Sequence, residues 1–405
     1  MTANGSSTRR IVRVGVVGCG EITQVAHLPT LGFLSDYFQV TYLCDISDQA
    51  LAYCQNKVIG GKPKVTSSAE ELASSSDVDV VLIANSDVFH VAHAVIALQN
   101  NKTVLVEKPM ALSLKDADTL IEAEKNSSGK VMVGYMRRYA SAFTDAIKEI
   151  GGLDKILYAR VRDIVGPNSI FVGQSGTFPK TFSDYKAEDS NELAKRTASI
   201  LEQALTTELG VSITPDTISA WRNLGSLGSH DLSAMREVLG MPTGVLGASL
   251  CSATPTPFWS ALFQYPGFAV SYESGIDGVG RFDATIEIFA EKKTVKICYD
   301  SPYVKGLPTI LQIRETTPEG SYKESTIRKT YEDPYTLEMK ELYSVVVEGK
   351  QIKTTAVDAR EDLVIFGMIL KAGVHSPNGA GMSANGSGSC VNGAEVANGV
   401  SGTGH

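Results

Sequence analysis

Apolar runs of strand length alternate with segments of helical periodicity over the first third of the chain. An apolar repeat every three to four residues indicates an amphipathic helix, and a short continuous apolar run indicates a strand buried on both faces. The run VDVVLIA at 78–84 is of the second kind. This alternation predicts an α/β fold with a doubly wound parallel sheet. The other predicted strands are 12–17, 40–44, 103–106 and 131–133, and the predicted helices are 21–34, 47–57, 68–73, 88–100 and 113–125.

The pattern changes after Gly151, where polar and apolar residues alternate in short segments that Gly, Pro or Asp mostly separate. Alternation with a period of two is typical of antiparallel strands that have one face on a core. We therefore expect a C-terminal α+β part with a large, mostly antiparallel open sheet, followed by two helices near 335–348 and 357–371. Its predicted strands are 155–165, 244–251, 259–265, 269–273, 284–290, 294–299 and 309–316.

A polar, helix-forming stretch interrupts these strands at about 181–221. It fits either a surface helix or a wall of a substrate cleft, and the sequence leaves both interpretations open. The two ends of the chain differ in composition: residues 1–10 are small and polar, and residues 376–405 are rich in Gly, Ser and Asn. Such segments bury too little apolar surface to offset their chain entropy, so we expect a flexible leader and a disordered tail.

Composition argues against several classes of function. The 405 residues include 37 Lys and Arg against 45 Asp and Glu, a formal net charge of −8, without a block of basic residues. Nucleic acid and membrane surfaces are therefore not expected as partners. The six cysteines include no C-x-x-C pair, and no His, Asp or Glu spacing indicates a metal site. Because no apolar stretch is long enough to cross a membrane, we expect a cytoplasmic protein.

A glycine turn follows the first strand in the segment VRVGVVGCGEIT at 12–23. Gly18 permits a tight turn, and Gly20 lets the backbone approach a phosphate closely. The helix that begins with Glu21 and Ile22 presents free N–H groups to the same phosphate. The third small residue of a dinucleotide fingerprint is replaced by Thr23, so the match is incomplete.

Asp45 ends the second predicted strand, where dinucleotide-binding folds place an acid on the hydroxyls of the adenosine ribose. An Asp that only caps the next turn would look the same. Ile46 and Ser47 follow it, so no Arg stands there to pair with a 2′-phosphate. The turn and the acid together favour NAD as the cofactor, with NADP as the alternative if a Lys or Arg from elsewhere reaches the phosphate.

Five further segments resemble the Gfo/Idh/MocA oxidoreductases, the group of glucose–fructose oxidoreductase and inositol dehydrogenase. They are GEITQVAHLPTL at 20–31, ANSDVFHVAHAVIAL at 84–98, VLVEKPM at 104–110, GYMRRY at 134–139 and GSLGSHDLSAMREVLG at 225–240. The resemblance is close over 11–150 and loose over 151–372. It implies an NAD(P)-binding Rossmann domain in the first range and a domain for substrate binding and oligomerisation in the second.

The resemblance also implies roles for single residues. Lys108 matches the family lysine that hydrogen-bonds to the reacting oxygen, and His230 matches the histidine that gives or takes a proton. Asn85, His90 and Glu107 match positions close to the cofactor, together with Lys108 itself. His27 has two interpretations, a cofactor contact or simple packing.

One family feature is missing. Inositol-dehydrogenase-like members have an Asp four residues before the histidine, and this chain has Ser226 there. The catalytic set is therefore incomplete: either His230 acts with Lys108 alone, or another residue completes the site. The candidates for completing it are Asp231, Tyr135 and a residue of the insert at 181–221. Asp231, Tyr135, Arg137 and Ser226 are also candidates for substrate contacts.

The activity implied by the resemblance is hydride transfer between nicotinamide and a hydroxyl or carbonyl carbon of a sugar, polyol, inositol or related small molecule. Two alternatives remain open: a non-catalytic, cofactor-binding transcriptional regulator, and an enzyme that keeps NAD bound and recycles it within the turnover. We expect a homodimer or homotetramer that associates through the C-terminal sheet, as family members do.

Overall fold

The structure, a computed structural model, describes residues 9–151, 153, 155–251 and 256–374. The tail expected at 376–405 and residues 1–8 of the expected leader lie outside the described residues.

Six strands of the N-terminal half form one parallel sheet. Its order, β3-β2-β1-β4-β5-β6, reverses direction between β1 and β4, the point at which doubly wound sheets bind dinucleotides. The predicted fold class is confirmed, although the short edge strand β3 was not predicted. The strands are β1 (Val12–Val17), β2 (Phe38–Cys44), β3 (Lys64–Thr66), β4 (Val80–Ile83), β5 (Thr103–Glu107) and β6 (Val131–Gly134).

Seven α-helices lie within the described residues 9–151. Ser47, Ser68 and Ser113 cap three of them by accepting hydrogen bonds from backbone N–H groups three residues later, which fixes where those helices begin. The predicted helix at 21–34 is divided into a π-helical turn, Thr23–His27, and a short α-helix. The helices are α1 (Leu28–Phe33), α2 (Asp48–Gln55), α3 (Ala69–Ser74), α4 (His90–Gln99), α5 (Leu114–Lys125), α6 (Met136–Tyr139) and α7 (Ser141–Gly151).

Eight strands form the second sheet, in the order β14-β13-β12-β11-β7-β10-β9-β8. Every neighbouring pair is antiparallel except β7 and β10, which confirms a mostly antiparallel sheet. The exposed edge strand β14 was not predicted, because its sequence YKESTI is too polar to show alternation. The strands are β7 (Ile156–Val165), β8 (Gly244–Cys251), β9 (Phe258–Tyr265), β10 (Phe268–Ile276), β11 (Phe282–Ala290), β12 (Lys293–Tyr299), β13 (Ile310–Thr316) and β14 (Tyr322–Ile327).

The remaining helices connect the two sheets. The stretch predicted as an insert contains two of them and packs on the N-terminal half, where the indole N–H of Trp221 donates to the carbonyl of Leu112 at 3.0 Å. A later helix returns the chain to the first sheet, since Met339 and Tyr343 share a core with Val12 and Val14. The helices are α8 (Asn168–Gly173), α9 (Ala187–Leu201), α10 (Pro215–Asn223), α11 (Ser229–Leu239), α12 (Pro334–Glu348) and α13 (Ala356–Val374).

Candidate active site

The glycine turn lies at the carboxyl end of β1. Gly18 has φ +100°, and a Cβ there would come within 2.6 Å of the backbone nitrogen of Asn85, so only glycine fits between β1 and β4. A Cβ on Gly20 would meet nothing within 4 Å, which leaves the outer side of the turn open. Thr23, the departure from the fingerprint, donates its hydroxyl to the carbonyl of Gly18 at 2.6 Å and thereby holds the turn closed.

Asp45 lies beside this turn at the carboxyl end of β2. Its carboxylate accepts hydrogen bonds from the backbone N–H groups of Cys19 at 2.7 Å and Ser47 at 2.9 Å. A carboxylate has further acceptor positions beyond these two bonds. The glycine turn and Asp45 are therefore adjacent. This arrangement fits the pyrophosphate and the adenosine ribose of NAD(P).

Glu21 and Ile22 begin the segment after the turn. The carboxylate of Glu21 accepts a hydrogen bond from the side-chain amide of Asn168 at 2.7 Å, so the second half of the chain touches the turn. Ile22 is half-buried and packs near Met136 and Tyr335. Both residues lie next to the open side of the glycine turn, at the position predicted for them.

Asn85 and His90 lie at the carboxyl end of β4. The two ring nitrogens of His90 lie 2.9 Å from the carbonyl of Pro109 and 3.1 Å from the carbonyl of Asn85, so this histidine ties the ends of β4 and β5 together. Burial lowers the pKa of His90. The side-chain oxygen of Asn85 is buried and has no hydrogen-bond partner among the described residues, an acceptor suited to the amide of a nicotinamide ring.

Glu107 ends β5 and pairs with His27. The His27 Nε2 and Glu107 Oε1 atoms are 2.9 Å apart, and both side chains are buried. Burial raises the pKa of Glu107, but the hydrogen bond and charge of His27, with the charge of Lys108, lower it overall. The ring of His27 also contacts Tyr335 edge-on, with centroids 5.7 Å apart, whereas its Nδ1 atom is buried without a hydrogen-bond partner among the described residues, so both interpretations of His27 stay open.

Lys108 follows β5 directly and precedes a cis peptide bond to Pro109. Its ammonium donates a hydrogen bond to the backbone carbonyl of Ser226 at 2.6 Å. Burial lowers the pKa of Lys108, although the carboxylate of Glu107 opposes this effect. A lysine of lowered pKa that holds only a carbonyl can exchange that carbonyl for the oxygen of a substrate.

His230 is the second residue of α11 and lies within electrostatic range of Lys108. Burial lowers the pKa of His230 well below its usual value, and the charges of Lys108 and Arg137 add to this effect. The imidazole is therefore neutral near pH 7. Its Nδ1 atom is buried without a hydrogen-bond partner among the described residues, so the imidazole keeps one unused hydrogen-bonding position.

A buried ion cluster lies behind His230. The Nη1 atom of Arg137 lies 3.0 Å from a carboxylate oxygen of Asp163 and also binds Asp231. Burial raises the pKa of Asp231 well above its usual range, as does the neighbouring Asp163. Asp163 was not predicted, although an acid at an inward position of the alternating strand β7 is a usable signal. The cluster fixes the start of α11 and thus the position of His230.

The tentative substrate contacts differ from expectation. Arg137 and Asp231 face each other in the interior, and Tyr135 is buried with its hydroxyl bonded to Asp362 at 2.5 Å. These three side chains stay in the interior because each has a buried hydrogen-bond or ion-pair partner. Ser226 is exposed, but its backbone carbonyl rather than its hydroxyl contacts Lys108.

Tyr303 was also missed. It lies in the loop between β12 and β13, and burial raises its pKa to about 12, with contributions from the charges of Glu21 and Glu107. Its phenol is therefore within electrostatic range of Glu21, after the glycine turn, and of Glu107, at the end of β5. A single tyrosine in a loop carries no local signal that would have pointed to this site.

The insert also borders the site. The guanidinium of Arg222 on α10 lies 3.0 Å from Asp87, in the 3₁₀ turn before α4, and Arg196 on α9 bonds to the carbonyl of Val88. These contacts favour a wall over a free surface helix. Within the described ranges, no group of three His, Cys, Asp or Glu could hold a metal ion, and no helix has the length and apolar character needed to cross a membrane.

Comparison with known proteins agrees with this geometry. Residues 12–135 match the family model GFO_IDH_MocA, described as an oxidoreductase family with an NAD-binding Rossmann fold. Inositol 2-dehydrogenase of Salmonella paratyphi B is 36% identical over 134 residues, which are 33% of this chain and 39% of that protein. Putative oxidoreductase YteT of Bacillus subtilis is 34% identical over 141 residues, 33% of either chain. The matches thus span between a third and two fifths of these relatives.

The fold extends beyond the matched sequence. An oxidoreductase structure from Thermotoga maritima superimposes with a TM-score of 0.65 over 90% of this chain and 97% of that chain, at 22% identity. Such a likeness shows a shared fold for both halves. Residues 12–135 therefore match the NAD-binding Rossmann fold of the Gfo/Idh/MocA oxidoreductase family.

Proposed function

We propose that the protein is an NAD(P)-dependent oxidoreductase that transfers a hydride between nicotinamide and the hydroxyl or carbonyl carbon of a sugar, polyol, inositol or related small molecule. Two observations carry the proposal: the ammonium of Lys108 donates to the exchangeable carbonyl of Ser226, and the imidazole of His230, within range of the charge of Lys108, is neutral. The printed name of one relative, inositol 2-dehydrogenase, supports a hydroxylated substrate.

Bound NAD(P) supplies the ring that accepts or donates the hydride. The glycine turn and Asp45 would hold its phosphates and ribose. In the oxidation direction, Lys108 would donate a hydrogen bond to the substrate oxygen, and the imidazole of His230 would take the hydroxyl proton. The Arg137 cluster keeps that imidazole in place, so no Asp at the position of Ser226 is needed.

The decisive experiment replaces Lys108 by Ala in the full chain and screens polyols and aldoses by absorbance of the reduced nicotinamide. A positioned acid–base group contributes about 10²–10⁴-fold to turnover, so we expect a loss in that range. NAD binding should stay within about threefold, because the ammonium contacts Ser226 rather than the glycine turn. The exposed residue Lys125 gives a matched control, Lys125→Ala. Unchanged turnover in Lys108→Ala would remove the mechanism.

A second candidate, an enzyme that retains its cofactor between turnovers, is favoured by residues 174–186. This segment, which we call the strap, comes from the second half and lies across the helix after the glycine turn. Gln24 and Lys180 exchange two hydrogen bonds there, of 3.0 and 2.8 Å. Nucleotide released on denaturation of extensively dialysed protein would support retention, and a nucleotide-free protein would contradict it.

The expected homodimer or homotetramer remains a proposal. One face of the second sheet is covered by helices, whereas Leu246, Phe258 and Leu262 are exposed on or beside the other. Self-association through that face would bury them. Light scattering behind size exclusion should give a dimer or tetramer mass that Leu262→Asp reduces, and a monomer at micromolar concentration would contradict the proposal.

A further inference from the structure

The strap carries an acidic side chain to the N-terminus of α2. The hydroxyl of Ser47 donates a hydrogen bond to one carboxylate oxygen of Asp184, and the backbone N–H of Gln49 donates to the other at 3.0 Å. The contact is long-range, since 137 residues separate Asp184 from Ser47. Asp184 thus occupies the positive end of α2, where an anion is favoured by the helix dipole and the free N–H groups.

Ser47 separates this carboxylate from Asp45. Its backbone N–H bonds to Asp45 at 2.9 Å, while its side chain bonds to Asp184. Asp45 is the ribose-binding acid of the proposed cofactor site, so a phosphate on the 2′-oxygen would extend from Asp45 towards the start of α2. The groups that would bind such a phosphate are already taken by Asp184.

We propose that Asp184 selects NAD against NADP by holding a carboxylate at the position that a 2′-phosphate would need. NADP would have to displace this carboxylate and place about two further negative charges beside Asp45 and Asp184. The ribose hydroxyls of NAD meet no such conflict. The inference rests on the proposed NAD(P) site and adds to it a specificity-determining residue from the other half of the chain.

The surrounding charges agree with this assignment. The hydrogen bonds from Ser47 and Gln49 lower the pKa of Asp184, so it is ionised at neutral pH. Of the lysines in this region, Lys57 and Lys180 lie over the ring of Tyr53, at 5.3 and 5.1 Å from its centre. Tyr53 belongs to the last turn of α2, so these cations stand away from its N-terminus.

The test measures dissociation constants of NAD and NADP by calorimetry on the full chain. Asp184→Asn keeps an acceptor for Gln49 but removes the charge, and we expect the NADP-to-NAD ratio of dissociation constants to fall roughly tenfold. Asp184→Arg should lower it further. Glu188→Gln, a neighbouring exposed carboxylate in the first turn of α9, is the matched control and should change the ratio by less than about twofold.

An unchanged ratio in both Asp184 variants would overturn the inference. Because binding needs no turnover, the two proposals can fail separately. A shifted ratio in a protein that oxidises no hydroxylated substrate would keep the role of Asp184 and refute hydride transfer. A constant ratio in an active dehydrogenase would refute the role of Asp184 and keep hydride transfer. A wild-type protein that binds neither nucleotide would refute both proposals.

Discussion

Replacing Arg137 by Met removes the cation that two buried carboxylates share. The side chains of Arg137, Asp163 and Asp231 are 4%, 0% and 2% exposed, so none of them can recover its hydration. Removing one partner of a buried pair costs about 3–5 kcal/mol, because the remaining charge stays desolvated. Met keeps most of the packing between the rings of Phe282 and Tyr299, which lie 5.5 and 5.3 Å from the guanidinium.

The loss should depend on pH. Burial and Asp163 already raise the pKa of Asp231 above its unfolded value. A group with a raised folded-state pKa contributes full stability below the unfolded pKa, about 3.9, and loses that contribution as the pH rises through the folded pKa. Without Arg137 that pKa rises further, so Arg137→Met should be destabilised more at pH 8 than at pH 5.

Thermal unfolding at the two pH values is the assay. For a unit of 150–250 residues, 3–5 kcal/mol corresponds to a decrease in Tm of roughly 6–20 °C. Arg160→Met is the matched control, because its pair with Glu273 is about one-third exposed and should cost less than about 1 kcal/mol. Adding Asp163→Asn and Asp231→Asn to Arg137→Met should restore most of the loss. Equal decreases for the Arg137 and Arg160 variants, or a loss independent of pH, would refute the reasoning.

Three further predictions follow from local geometry. Gly18→Ala should weaken NAD binding by roughly tenfold or more, because Gly18 has φ +100° and its new Cβ would clash with the backbone of Asn85. Gly20→Ala should keep the turn and the fold. Calorimetry measures NAD binding by the two variants, and circular dichroism compares their folds. Ser113→Ala should lower the free energy of unfolding by about 1 kcal/mol in urea titration, since its hydroxyl caps α5 at 3.1 Å, and no change would show that the cap is dispensable. The lowered pKa of His230 predicts a pH–rate profile without a fall near pH 6.5; an inflection there that His230→Gln abolishes would contradict a neutral imidazole.

The sequence predicts what depends on local pattern. The buried run at 78–84 gives β4 because a parallel strand covered on both faces needs apolar residues at nearly every position. Ser68 and Ser113 mark helix starts through bonds that span only three residues. The positions of Lys108 and Asp45 follow in the same way, since each ends a strand whose neighbours in the sheet are fixed by topology.

The remainder of the site depends on contacts between distant segments. Arg137 meets Asp231 across 94 residues, and the strap meets α2 across 137. No periodicity encodes such pairings, and an arginine whose partner is unknown can be assigned to a substrate as readily as to an ion pair. This is why Arg137 was expected to bind substrate and why Asp184 was not singled out.

The return of α12 to the first sheet bears on how the chain is made. The ring of Tyr343 contacts the rings of Tyr37 and Phe38 edge-on, and its hydroxyl donates a hydrogen bond to the carbonyl of Arg10 at 2.9 Å. On the ribosome, β1 and β2 are synthesised long before the helix that covers them. An apolar face of the nascent N-terminal half therefore stays exposed until about residue 350 has emerged from the ribosome. A ribosome stalled at residue 150 should present a chain that binds chaperones, whereas one stalled beyond α12 should not.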